Sequence, residues 1–242
     1  MDIRYFDTLE STNKYCKLLD PEKVEEFTVI CARSQTAGIG QQGNVWTSEP
    51  GANLTFSLVL KPLFLAAADQ YQLTMMLAVA VADTVAETVV PQQVHIKWPN
   101  DIYVGSKKIC GILTSSQIHG EQLSYAICGV GLNVNQTHFP DWVPNPTSLK
   151  LLTRQTFDTD VVLHRLLDNI QKAYETLQSA PTLIRQHYLD QLFRMGQKAT
   201  YIIDGKPTQA TIGGVDRYGH LELTTADGAQ ITRAMKEIQY II

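Results

Sequence analysis

Neither the cysteines nor the histidines of this chain are spaced for a metal centre or a disulfide scaffold. The four cysteines, Cys16, Cys31, Cys110 and Cys128, form no Cys-x-x-Cys pair. Each stands among apolar residues, where a thiol acts as a small hydrophobe in a reducing compartment. The six histidines show neither His-x-His nor His-Glu-x-x-His spacing, so a protein-held zinc is not expected. Basic excess is also missing: 20 Lys and Arg against 24 Asp and Glu leave a formal charge of −4. That balance argues against a general binder of nucleic acid or of membrane surfaces. The most apolar run, Leu77–Ala82, is far too short to cross a bilayer. Met1–Tyr5 offers no basic lead-in to an apolar stretch. A cytoplasmic protein is therefore expected, in which the Asn-x-Thr sequons at Asn53 and Asn135 carry no meaning.

What is present is an ordinary globular composition, 44% hydrophobic and 18% charged over 242 residues. Such a chain forms one large domain, or one domain with a small appendage. Ile3–Phe6 and the β-branched run Thr28–Ala32 read as strands, and Asn53–Leu60 alternates as a half-buried strand does. Ser11-Thr12-Asn13 supplies the groups that cap a helix over Lys14–Leu19. The clearest helix runs from Gln70 to Val89, with Leu73, Met76, Leu77, Ala80 and Val81 on one stripe and Asp69/Gln72 as a capping-box variant. Val94–Trp98 leads into a Pro99-Asn100-Asp101 turn. Two longer strands follow, Lys108–Ile118 and Leu123–Val134, joined at His119-Gly120-Glu121. After a proline-rich loop, Pro140–Pro146, come helices near Thr159–Leu177 and Thr182–Phe193. From Met195-Gly196 onward the pattern turns to four short strands, Lys198–Ile203, Thr208–Ile212, His220–Thr224 and Gln230–Thr232. Asp204-Gly205 and Asp227-Gly228 are hairpin signals, and Gly213-Gly214 marks a further break. The expected architecture is α+β: residues 1–194 as a mixed, mostly antiparallel sheet with packed helices, and residues 195–242 as a small β-barrel.

Four segments have residue types suited to chemistry. Gly38-Ile39-Gly40-Gln41-Gln42-Gly43 lets backbone wrap an anion. Dinucleotide binding would require a helix after this loop and an acid about twenty residues on. Here Trp46 and another strand follow, so that reading fails, and a plain surface loop stays open. Lys97-Trp98-Pro99-Asn100-Asp101 places a cation, an aromatic and two oxygen-bearing side chains at a strand end. Asn100 suits Mg²⁺ or phosphate oxygens and Asp101 suits accepting a proton from an amine. The bland alternative is a strand-end Asx turn. Lys108 enters an apolar strand and can aim its ammonium into a cleft while its stem packs, whereas Lys107 reads as a solvated hairpin tip. Gly129 and Gly131 either open space beside a sheet or mark β-bulges.

Taken in order, Ser11-Thr12-Asn13, Gly38–Gly43, Trp46, Gly51-Ala52-Asn53-Leu54, Lys97–Asp101, Lys108–Gly111 and Gly129–Asn133 resemble the biotin–protein ligases. The likeness covers essentially the whole chain and includes that family's SH3-like tail. It implies a class II synthetase-like catalytic fold that uses ATP and Mg²⁺ to activate biotin as biotinyl-5'-AMP. Biotin then passes to a lysine of a biotin carboxyl carrier domain of a biotin-dependent carboxylase. By the same resemblance, Ser11, Thr12, Asn13 and Gln35 contact the biotin head. Gly38, Gly40 and Gln41 belong to a loop over the ligand, and Gly111, Gly129 and Gly131 let backbone approach the ring. Lys108 binds the biotin carboxylate and then the adenylate phosphate, and Asp101 takes the proton of the target lysine. Ile39, Gln41, Trp46, Lys97, Asn100 and Asn133 would face the nucleotide, with Asn100 nearest Mg²⁺. The chain departs from many relatives in its glycine loop, where Ile39, Gln41 and Gln42 stand at positions often held by arginine. Because Ser-Thr-Asn begins at position 11, a form without a helix-turn-helix DNA-binding domain is expected, with no DNA or membrane partner; homodimerisation through an edge strand stays open. Two other readings remain beside the ligase: a lipoate- or octanoate-transferring relative, and a biotin-binding pseudoenzyme.

Overall fold

A computed structural model describes residues 1–241, apart from the side chain of Gln42. The chain builds two sheets. The first has seven strands: β1 (Asp2–Leu9), β2 (Thr28–Gln35), β3 (Leu54–Leu60), β4 (Val94–Lys97), β5 (Asp101–Val104), β6 (Lys107–His119) and β7 (Gln122–Leu132). They lie in the order β1-β2-β3-β7-β6-β5-β4, and every neighbouring pair except β1/β2 is antiparallel. Five helices accompany it: α1 (Thr12–Lys17), α2 (Tyr71–Thr88), α3 (Leu149–Thr153), α4 (Thr159–Ser179) and α5 (Pro181–Asp190). The second sheet comprises β8 (Lys198–Ile203), β9 (Lys206–Val215), β10 (Leu221–Thr225), β11 (Gln230–Arg233) and β12 (Ile238–Tyr240), ordered β11-β10-β9-β8-β12. The chain forms the expected α+β class, and its tail of SH3-like type has five strands rather than the expected four.

The period of two along β3 explains where the core and the site separate. Leu54, Phe56, Leu58 and Leu60 join the main core with α2, α4 and α5. Thr55, Ser57 and Val59 point to the other face, where Val59 meets Cys16 of α1 in a second, smaller cluster. Every residue of β3 is buried, rather than one face of it, because β2 and β7 flank it and both faces are covered. Helix α2 likewise buries every residue from Leu73 to Ala82, more than the single stripe its spacing predicts. It is packed between the sheet, α4 and α5.

Several local expectations are revised. Asp69 does not cap α2, which starts without a side-chain cap; its carboxylate is held instead by Arg217 at 2.7 and 2.8 Å. Gly213-Gly214 does not end a strand. It lies inside β9, where the pairing to β10 shifts register by a bulge. β5, β12 and α3 carry too few residues for a periodic signal and were not anticipated. No helix among the described residues is long and apolar enough to span a membrane. All four cysteines are buried and unpaired.

Candidate active site

On the sheet face away from α2, the strand-end turn, the start of α1 and the glycine loop close around a cavity of about 290 Å³. Its far wall is the N-terminus of α1. Ser11 caps that helix, its hydroxyl accepting from the Lys14 N–H at 3.4 Å. The Thr12 N–H donates to Gln35 Oε1 at 2.7 Å, and the Thr12 hydroxyl lies 2.9 Å from that of Ser57. Asn13 also lines this end, and its Nδ2 is buried with no partner. A buried amide donor left unmatched normally costs about 1–3 kcal/mol, so this donor is free to meet a ligand oxygen at this end of the cavity.

At the other end stand the charges. Lys108 Nζ and Asp101 Oδ1 are 2.6 Å apart, the two side chains 27% and 16% exposed. They are the only charged side chains on the cavity wall among the described residues. Asp101 opens β5 directly opposite Gly111 of β6. Asn100, one residue earlier, donates Nδ2 to the Ile112 carbonyl at 2.5 Å and accepts the Ile112 N–H on its own carbonyl at 2.9 Å. The turn is thereby stitched to β6. The backbone of Lys108 is gripped by the proline-rich loop: its N–H donates to Asn145 O and its carbonyl accepts from Thr147 N–H.

The glycine loop is folded on itself. Gly40 N–H donates to Asn44 O at 2.7 Å and Trp46 N–H to Gly38 O at 3.0 Å, with a bridge between Ile39 and Val45. Ile39, Gly40 and Gln41 line the cavity. Gly38 does not; it is the loop's stem, where a Cβ would meet Trp46 O at 2.3 Å. The Trp46 indole lies against β6 and β7 at Gly111 and Gly131. Gly131 faces Gly111 across those strands, and a Cβ on Gly131 would be 2.4 Å from indole Cε2. The glycines at 129 and 131 occupy regular ladder positions, not bulges. The room that Gly111 and Gly131 leave is filled by Trp46, whereas Gly129 faces Asn13 Nδ2. Beyond Trp46 a second cavity of about 280 Å³ shares Trp46 and Lys108 with the first and is lined by Asn133, Phe139 and Trp142. Asn133 anchors its Nδ2 on Thr147 O at 2.9 Å, and its Oδ1 is buried without a partner.

Lys97 is placed elsewhere. Its ammonium lies over the rings of Tyr240 and Tyr103, at 4.6 and 5.3 Å from their centroids, and it does not line either cavity. Burial holds its pKa below the ordinary lysine value, with Asp101 opposing that shift. Wall residues that the sequence reading did not single out include Asn44, Val45, Thr55, Ser57 and Met235. The hydroxyls of Thr55 and Ser57, alternating within an apolar strand, were a usable signal. Met235, contributed by the turn between β11 and β12, had none.

The chain is similar to several known proteins. Residues 5–133 match the Biotin/lipoate A/B protein ligase family. The bifunctional ligase/repressor BirA of Bacillus subtilis is 37% identical over 173 residues, covering 70% of this chain and 53% of that protein. The chain thus spans about half the length of such relatives. The biotin–[acetyl-CoA-carboxylase] ligase of Paracoccus denitrificans is 30% identical, covering 93% of this chain and 95% of its own. In fold, the chain resembles the biotin protein ligase from Aquifex aeolicus in complex with biotin and ATP, with a TM-score of 0.80 at 24% identity, over 98% of this chain and 97% of that one. The chain belongs to the biotin/lipoate A/B protein ligase family.

Proposed function

We propose that the protein activates biotin with ATP and transfers it to a lysine of a biotin carboxyl carrier domain. The Lys108–Asp101 pair carries this reading, because Lys108 lines both cavities and Asp101 holds it from the first. Biotin occupies the first cavity, its head toward Thr12, Asn13 and Gln35 and its carboxylate toward Lys108. The nucleotide occupies the second, with adenine on Trp46 and Asn133 on its polar groups. A biotin carboxylate oxygen attacks the α-phosphorus and pyrophosphate leaves. Lys108 offsets the repulsion between the two anions. In the second step the carrier lysine attacks the acyl carbon and AMP leaves. That amine is mostly protonated at neutral pH, with a reference pKa of about 10.4, and Asp101 accepts its proton.

No cluster of three or more carboxylate, histidine or cysteine groups exists among the described residues to hold a metal unaided. The donor set therefore fits Mg²⁺ arriving with the triphosphate, as that ion usually does. Asn100, its amide nitrogen engaged by Ile112, keeps its oxygen for that complex. When bound, Mg²⁺ neutralises phosphate charge. Residues 1–194 act as the catalytic unit and 195–242 as its appended barrel. A reducing, cytoplasmic setting suits the four unpaired thiols.

The acceptor is supported by the name of the Paracoccus denitrificans relative, which the chain matches over nearly its full length. Pyrophosphate release from ATP is the deciding assay, run with biotin and with lipoate, followed by transfer to a carrier domain. Biotin-dependent release with transfer is expected. Lipoate-dependent release alone would replace the substrate, and biotin binding without release would leave only a binder.

A further inference from the structure

The geometry points to a clamp: the C-terminal sheet holds the turn that carries Asn100 and Asp101, through Lys97 and Trp98, with Tyr240 as a positioning residue. This rests on the ligase reading for its kinetic consequence, but not for its structural content.

Three consecutive residues leading into the turn are each gripped from outside it. Lys97, opposite Asp101 in the β4–β5 ladder, sets its ammonium 4.6 Å from the Tyr240 ring centroid. Tyr240 belongs to β12 and is itself fixed edge-on against Tyr201 of β8, at 5.3 Å and 82°. Trp98 is 2% exposed and donates Nε1–H to the Gly219 carbonyl at 2.9 Å. The Pro99 carbonyl accepts the Tyr71 hydroxyl at 2.8 Å, and Tyr71 lies 3.0 Å from the Tyr188 hydroxyl. The loop that supplies Gly219 is pressed onto the same ring: Gly219 has φ +90°, and a Cβ there would be 2.4 Å from Tyr71 Cδ2. Two of the three grips come from the C-terminal sheet or its loops. On the inner side, Asn100 is bonded to Ile112 of β6. The turn is thus fixed between two bodies, and Asp101, the first residue beyond it, takes its place beside Lys108.

A half-buried ammonium over two aromatic rings is a favourable anchor. It accounts for Lys97 without a ligand: the cation is spent on holding β4 and β12 together. A shift of the reacting groups by about an ångström costs on the order of a hundredfold in rate, so a slack turn is read in turnover before it is read in binding.

The test compares Tyr240→Leu, which removes the aromatic face, with Tyr240→Phe, which keeps it, in the full chain. Amide hydrogen exchange over residues 100–103 and the kinetics of biotin-dependent pyrophosphate release are measured on each. In Tyr240→Leu, exchange over 100–103 should rise and kcat should fall about tenfold or more. The KM for biotin should change less than about twofold, since among the described residues β12 itself supplies none of the biotin wall, and the wall's one residue from the C-terminal region, Met235, lies in the turn before β12. Tyr240→Phe should restore both. The proposal is overturned by unchanged exchange, by faster exchange with unaltered kcat, by a kcat loss that only tracks the unfolded fraction, or by no rescue in Tyr240→Phe. If Tyr240→Leu does not fold, Trp98→Phe, which removes the bond to Gly219 together with part of the indole's packing, gives the same readouts. Should the wild-type chain release no pyrophosphate with biotin, the ligase reading fails, and the exchange comparison alone decides the clamp.

Discussion

Trp46 and Gly131 show how a single missing side chain shapes the site. The indole lies where any Cβ on Gly131 would be, so Gly131→Ala must push Trp46 off the sheet. We expect quenching or spectral shift of Trp46 fluorescence and about a tenfold weaker nucleotide interaction, the order of one lost stacking contact on a buried ring. Gly213→Ala, where the nearest atom to a Cβ is 3.9 Å away, is the matched control and should bind normally. The cysteines make the opposite point. Burial pushes the Cys31 thiol up to about 11 and those of Cys16 and Cys128 up to about 12. Cys110 is raised as well, for the same reason. With no thiolate formed near pH 8, the folded protein should leave a disulfide-exchange reagent unreacted, and denaturation should release all four thiols. Rapid reaction of any one thiol in the native state would contradict its burial.

The glycine loop brings no charge to the anionic ligands proposed for it. The cavity wall holds one cation, Lys108, and that is already paired with Asp101. Ile39 and Gln41 contribute no charge from the loop, although both line the cavity. A charged hydrogen bond contributes about 1.5–3 kcal/mol against 0.5–1.5 for a neutral one. Ile39→Arg should therefore slow adenylate dissociation by about tenfold, followed by release of preformed biotinyl-AMP into a trap; unchanged or faster release would refute this. The loop's own fold does not depend on those side chains. It is closed by backbone bonds between Gly40 and Asn44 and between Gly38 and Trp46, so the substitution can be made without dismantling it.

At the scale of the whole molecule, the second sheet is docked by a few specific contacts. Asp69 on the α2 side and Arg217 on the barrel side form a bidentate pair. The Arg217 hydrogen bonds hold the Asp69 carboxyl below the usual carboxylate value. A depressed carboxylate pKa contributes stability that is present above the unfolded value, about 3.9, and is lost as pH falls through the folded one. Asp69→Asn should thus unfold at a lower temperature than wild type at pH 7, with the gap closing below about pH 4. Thermal unfolding followed between pH 3 and 7 measures it; a constant gap would mean that the carboxylate charge is not what docks the barrel.

The amino-acid order by itself determined the longer strands and helices, because these are set by neighbours two to four residues apart, but not the short β5, β12 and α3. It settled β8 to the residue, and the helix start at Ser11, the Asp204-Gly205 hairpin and the extent of α4 closely. It also placed Lys108, Asp101 and Ser11–Asn13 among the residues able to do chemistry. Their convergence on one cavity depends on the pairing of β3, β7 and β6, and so on contacts between residues far apart in the chain, such as Leu54 with Leu132. Lys97 marks the boundary between the two kinds of knowledge. Its charge and its place beside a chemical turn are written in the chain, but only the docked barrel decides that the charge meets Tyr240 rather than a phosphate. Where a long side chain points depends on which distant surface lies within its reach, and no local pattern encodes that surface.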